Sequence, residues 1–198
     1  MSTSSTPRLT ATARREQLLE VALEVFARNG YHDTSMNDIA DAAGVTKPVL
    51  YQHFDSKREL YQALLDEAGA RLLRAIFSGA GDATDGRELT ERGFRAYFRW
   101  VAEDHDAFML LYSSGTRDDE FARAVRRVTA GAASAVAQLI TVDIDDEHRL
   151  TLAHALVGLA EGASRRLVER GDRFDPDLIA RQVSDLAWAG LRGIHRVG

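Results

Sequence analysis

Residues 34–57 read T-S-M-N-D-I-A-D-A-A-G-V-T-K-P-V-L-Y-Q-H-F-D-S-K, and no other part of the chain restricts local structure as tightly. Thr34 or Ser35 can cap a helix start through its hydroxyl, and Asp38 supplies the first-turn acid that such a start favours. Ile39, Ala40 and Ala43 then share one face. Gly44 follows, where a chain leaving a helix often turns through positive φ. Val45 fills the angle beyond it, and Thr46 can cap a second short helix. Pro48 falls in that helix's first turn, where a missing N–H costs little. Leu50 and Phe54, four apart, face the same way. Ser56 can cap a third helix starting at Lys57.

Two short helices joined by a glycine turn form the layout of a DNA-reading helix-turn-helix. At about 100° per residue, Pro48 and Gln52 point away from Leu50, with Val49 and Tyr51 flanking them. On that outward face Gln52 can pair with adenine through two hydrogen bonds, and Val49 can touch a thymine methyl. Thr46, Lys47, Tyr51 and His53 can bond phosphates, and the helix opening at Lys57 presents an N-terminus that attracts phosphate. Thr34 and Ser35 complete the candidate DNA-contact set. The bland alternative is an ordinary pair of packed helices with a solvated polar face.

Charge narrows the class. The net charge is −5 and the pI is near 5.7, whereas a protein that coats nucleic acid is normally basic overall. Positive charge must therefore be local, at Arg14, Arg15, Lys47, His53, Lys57 and Arg58, which favours a sequence-specific binder. Of the 25 basic residues only two are lysines, Lys47 and Lys57, and both fall on the proposed DNA face. The six histidines show no metal-ligand spacing, and no phosphate loop or nucleophile elbow is present. A constitutive architectural DNA-binder and a helical-bundle enzyme remain as alternatives. No cofactor or metal is expected.

The same segment resembles the amino-terminal domain of the TetR family of bacterial transcriptional regulators. The likeness extends over R-E-Q-L-L-E-V-A-L-E-V-F-A-R-N-G-Y at 15–31, T-S-M-N-D-I-A-D-A-A-G-V-T-K, and L-Y-Q-H-F-D-S-K-R-E-L at 50–60. It covers roughly residues 11–65. Position 48 departs from the small residue or glycine common there. The resemblance implies a homodimer on double-stranded operator DNA, an effector held in a second helical domain, and most simply a repressor released by that effector.

Only Pro7, Pro48 and Pro176 interrupt the chain, so long helices are allowed and the expected fold is all-α. The expected organisation is a disordered tail over 1–10, a DNA-binding domain over 11–56, and an effector-binding and dimerisation domain over 57–198. The first helix is expected over 12–29 and the helix from Lys57 to about Ser78. A loop is expected over 79–86, then about five more helices. The start carries no apolar signal core, there are no cysteines, and no apolar run is long enough to span a membrane. Together these lead to the expectation of a cytoplasmic protein with no membrane partner.

The second domain carries an aromatic cluster. Phe94, Tyr97, Phe98 and Val101 follow the i, i+3, i+4, i+7 spacing of one helix face. With Phe77, Phe108, Tyr112 and Phe121 they are either core or the wall of a pocket for a small apolar or amphipathic ligand. Tyr97, Tyr112, His154 and Glu161 are the polar groups expected beside it; His154 and Glu161, seven apart, share a helix face, with a half-exposed surface pair as the alternative. The last two helices, over about 146–169 and 175–192, look like a dimer surface. Ala155, Leu159, Ala163 and Leu167 are its candidates on the first, and Val183, Leu186, Trp188 and Leu191 on the second.

Overall fold

The computed structural model describes residues 10–81, 83–112, 119–169 and 174–192. Among these residues the fold is all-α, without strands. The expected tail over 1–10 lies almost wholly outside the described residues. The chain divides into two compact units between Leu64 and Leu65, eight residues beyond the boundary expected after residue 56. The difference comes from Leu60, Tyr61 and Leu64, which are buried at the start of the helix that opens with Lys57.

The first unit begins with α1 (Ala11–Asn29), capped by Thr10, whose hydroxyl accepts from the Ala13 amide. Its apolar face of Leu18, Ala22, Val25 and Phe26 is buried, and it ends at Gly30 with φ at 80°. Next come α2 (Met36–Ala42) and α3 (Lys47–Tyr51). They are joined through Gly44, whose φ of 63° is costly for any residue with a side-chain Cβ. Helix α2 packs on α1 and on α3. The core closes with the first turns of α4 (Lys57–Ala80). There the Tyr61 ring meets Phe26 edge-on at 5.0 Å and Tyr31 at 4.8 Å.

The second unit takes the rest of α4 and five further helices: α5 (Gly86–Glu103), α6 (His105–Tyr112), α7 (Asp119–Leu139), α8 (Asp146–Glu169) and α9 (Pro176–Leu191). The main packing pairs are α5 with α9 and α7 with α8, and α5 also meets α6 and α8. The expected loop over 79–86 is shorter, because Gly79 lies inside α4 and Gly86 opens α5. Packing explains Gly79. A Cβ there would come within 3.0 Å of the Arg92 carbonyl and closer still to the Ala96 side chain, so α4 and α5 approach through the missing side chain. At the start of α9, Asp175 caps the helix by accepting from the Asp177 and Leu178 amides.

Candidate DNA interface and effector cavity

Helix α2 starts at a reciprocal cap. The Ser35 hydroxyl accepts from the Asp38 amide at 3.2 Å, and Asp38 accepts from the Ser35 amide at 2.8 Å. The Ser35 hydroxyl also donates to the Asp38 carboxylate at 2.7 Å, and that bond first, then the one from the Ser35 amide, holds the Asp38 carboxyl below its usual range. Thr34 plays a different part: it is buried, and its hydroxyl donates to the Gly30 carbonyl at 2.8 Å. Ser35 is exposed.

Helix α3 rests on Leu50, which is fully buried. Thr46, Lys47, Pro48, Tyr51 and Gln52 are exposed around it, and Val49 and His53 are half-buried. Thr46 occupies the cap position but its side chain makes no cap bond. The Lys47 ammonium stands 5.9 Å from the Tyr51 ring centroid. A short helix with one buried anchor and a polar, cationic outer surface has the composition of a major-groove reader.

Lys57, expected at the DNA face, makes its contacts here within its own unit. Its ammonium donates to the carbonyls of Tyr31 and Thr34 at 2.8 and 2.7 Å and sits 4.4 Å from the centre of the Tyr31 ring. It ties the start of α4 to the segment that leads into α2. Beside it Arg15 stacks its guanidinium on Phe54 at 4.7 Å.

The second unit holds a half-open cavity of about 370 Å³. Aliphatic side chains from α4 (Leu72, Ile76), α7 (Val136, Leu139) and α8 (Leu156, Val157) form much of its wall. Of the ten residues expected at a ligand site, Phe94, Tyr97 and Tyr112 line it. The other seven do not. Phe98, Val101, Phe108 and Phe121 are buried in the core, Phe77 is 49% exposed, His154 is exposed and Glu161 is half-buried. Trp188 and Leu191, expected at a dimer surface, are half-buried and line the cavity. Spacing within one helix could not find this set, because α4, α5, α6, α7, α8 and α9 all contribute to it.

Two phenols give the cavity its polarity. Tyr97 and Tyr112 are 6% and 8% exposed, and neither hydroxyl makes a well-formed hydrogen bond among the described residues, although Ser164 lies near the Tyr97 hydroxyl and Glu161 and Thr129 lie near that of Tyr112. Burial pushes the Tyr97 phenol far above its ordinary range. Burial first, then the neighbouring Tyr97 and Glu161, do the same for Tyr112. Both therefore stay protonated and offer O–H donors. Glu161 also accepts from the Thr129 hydroxyl at 3.3 Å. Arg192 and Thr141, also on the lining, are exposed.

The remaining expected interface residues stay near the surface of α8 and α9. Ala155 is exposed, Leu159, Ala163, Leu167 and Val183 are half-buried, and Leu186 is 63% exposed.

These features define a helix-turn-helix protein with a second, cavity-bearing helical unit. Residues 18–64 match the family described as bacterial regulatory proteins, tetR family, and residues 87–190 match the tetracyclin repressor-like C-terminal domain. The HTH-type transcriptional activator FasR of Mycolicibacterium smegmatis is 35% identical over 187 residues, which are 93% of this chain and 85% of that protein. The HTH-type transcriptional repressor KstR2 of Mycobacterium tuberculosis is 30% identical over 185 residues, 91% of this chain and 80% of that one. In fold, the chain resembles the regulator FadR of Bacillus subtilis, solved in complex with stearoyl-CoA. The TM-score is 0.74 at 20% identity, over 91% of this chain and 99% of that one. This chain belongs to the TetR family and is a DNA-binding transcriptional regulator.

Residue roles at the DNA face give separable expectations. Gln52→Ala is expected to cost about 1–3 kcal/mol of operator binding and to relax preference at one base pair. Lys47→Ala is expected to weaken all sequences alike and to lower the salt slope by about one. Titration of a base-substituted operator series at several salt concentrations separates the two. A uniform loss for Gln52→Ala would remove its base-reading role.

Proposed function

We propose that two copies of this chain bind a palindromic operator through α2 and α3 and repress transcription until a small apolar or amphipathic effector enters the cavity of the second unit. The observation that carries the ligand-responsive reading is the cavity of about 370 Å³. Its size falls in the range of small-molecule sites, and it is mostly apolar with a few buried polar groups, as such sites are. An architectural binder without an effector has no use for a cavity holding two phenols without well-formed hydrogen bonds. Helix α4 supports coupling of the two activities: it runs unbroken from Lys57 to Ala80 and lends Leu72 and Ile76 to the cavity wall. The effector acts only through its different affinity for the DNA-competent and released forms. The relatives include one named as an activator and one as a repressor, and repression is the simpler mechanism because it needs only occupancy of the operator.

The dimer reading is supported by Leu186, the most exposed large apolar side chain among the described residues, together with Leu178 on the same helix. Two copies related by a two-fold axis would set their α3 helices about 34 Å apart, one turn of DNA. No helix among the described residues is long and apolar enough to cross a membrane.

Selection of bound sequences from a random duplex library at fixed near-physiological salt tests this function. Enrichment of a palindrome is the expected result, with affinity falling steeply as salt rises because phosphate contacts release counterions. Only weak, unselective, salt-sensitive binding would overturn it in favour of the architectural reading.

A further inference from the structure

The cavity specifies more about its ligand than apolarity. Most of its wall is aliphatic, and such a wall accepts any hydrocarbon of suitable shape. Tyr97 and Tyr112 are the exception: their phenols are buried on that wall without a well-formed hydrogen bond among the described residues, with Ser164 near the first and Glu161 and Thr129 near the second as the groups a ligand oxygen must out-compete. A buried donor left unpaired costs free energy that a ligand acceptor recovers. A plain hydrocarbon tail cannot supply that acceptor.

Charge narrows the acceptor further. Glu161 and Arg165 flank the two tyrosines, Arg165 standing 5.9 Å from the centre of the Tyr112 ring. Neither lines the cavity, and the one charged lining residue, Arg192, is exposed. An ionised group beside the phenols would lose its hydration without meeting a buried counter-charge on the lining, since Arg192 is exposed, and a buried unpaired ion is far costlier than a buried neutral dipole. A ketone, ester or amide oxygen meets both conditions, since it accepts hydrogen bonds and carries no charge.

We infer that the effector is an uncharged apolar molecule bearing a hydrogen-bond-accepting oxygen at its buried end, and that Tyr97 and Tyr112 donate to that oxygen. This rests on the proposed effector role of the cavity and assigns the class of molecule that fills it. The two phenols act as specificity residues: the aliphatic wall supplies affinity, and the phenols distinguish an oxygenated ligand from a hydrocarbon of equal length.

The test uses the full chain without DNA and three probes of one length: undecane, methyl nonyl ketone and undecanoate. Calorimetric titration and thermal shift are run on the wild type, Tyr97→Phe and Tyr112→Phe. The ketone is expected to bind the wild type about tenfold more tightly than undecane, the worth of a well-made buried hydrogen bond, and more tightly than undecanoate. Each variant is expected to lose most of that preference while keeping its affinity for undecane, which also shows that it folds. Without ligand, Tyr97→Phe is expected to melt no lower than the wild type, because it deletes a buried polar atom that lacks a well-formed hydrogen bond. Equal binding of ketone and undecane in all three proteins would overturn the inference, with the phenols closing on Ser164 and Glu161 instead. Undecanoate as the tightest probe would also overturn it. Failure of every probe to bind would remove the effector reading of the cavity as well, and would leave operator selection untouched.

Discussion

Leu186→Glu is expected to give a folded monomer whose operator affinity is lower by about two to four orders of magnitude. Leu186 is 63% exposed on α9, so a charge there costs the isolated chain little: the side chain is mostly in water already. In a two-fold dimer the same substitution acts twice, and each glutamate must be desolvated against apolar surface with no partner cation. Loss of the dimer then separates two reading heads that had shared one binding event. The second contact is no longer intramolecular, and avidity of this kind is worth about 10²–10⁴ in affinity. Sedimentation equilibrium with circular dichroism reads the outcome: one subunit's mass with an unchanged helical spectrum is expected. A dimer that survives the substitution would place the interface elsewhere.

The helix-turn-helix was legible because its determinants are local. Ser35, Gly44, Leu50 and Ser56 each act within one turn of their own position, so spacing along the chain is enough to locate them. Even there, two residues make contacts that spacing alone does not show. Thr34 has a hydroxyl at a helix start, yet it points inward to the Gly30 carbonyl. Lys57 has a charge at a helix start, yet it reaches 26 residues back to the Tyr31 carbonyl. A cap and a tertiary clamp use the same residue types, and only the fold distinguishes them.

The cavity was the less legible part, for a physical reason. Its wall is built from Leu, Ile and Val that look like any helix core, and whether a buried aliphatic side chain meets another side chain or a void depends on how α4, α5, α7, α8 and α9 cross. Trp188 shows the difficulty. Its place on an apolar stripe of α9 suited a dimer surface, but Gly86 lets the indole pack so close that a Cβ there would stand 3.2 Å away, turning the ring toward the cavity. Tyr97 and Tyr112 were within reach of sequence reasoning because a tyrosine on an otherwise apolar helix face carries a hydroxyl that needs an explanation.

The Lys57 clamp makes the second large effect. Lys57→Met keeps the length and apolar stem of the side chain but removes the ammonium, leaving the Tyr31 and Thr34 carbonyls without the donor they share. It also removes the cation held 4.4 Å from the Tyr31 ring. A hydrogen bond to a charged group is worth about 1.5–3 kcal/mol, and the variant is expected to lose about that much in urea unfolding. The segment that leads into Ser35 and α2 would then be loosely held, so operator binding should fall for every sequence. A lysine that only touched phosphate would behave differently: stability would stay the same and the salt slope would drop by about one. Lys57→Arg separates the roles again. It keeps the charge, but its planar fork does not match a point donor shared by two carbonyls, so a clamp predicts that arginine fails to restore stability. Full stability in both variants, with only the salt slope altered, would return Lys57 to the phosphate backbone.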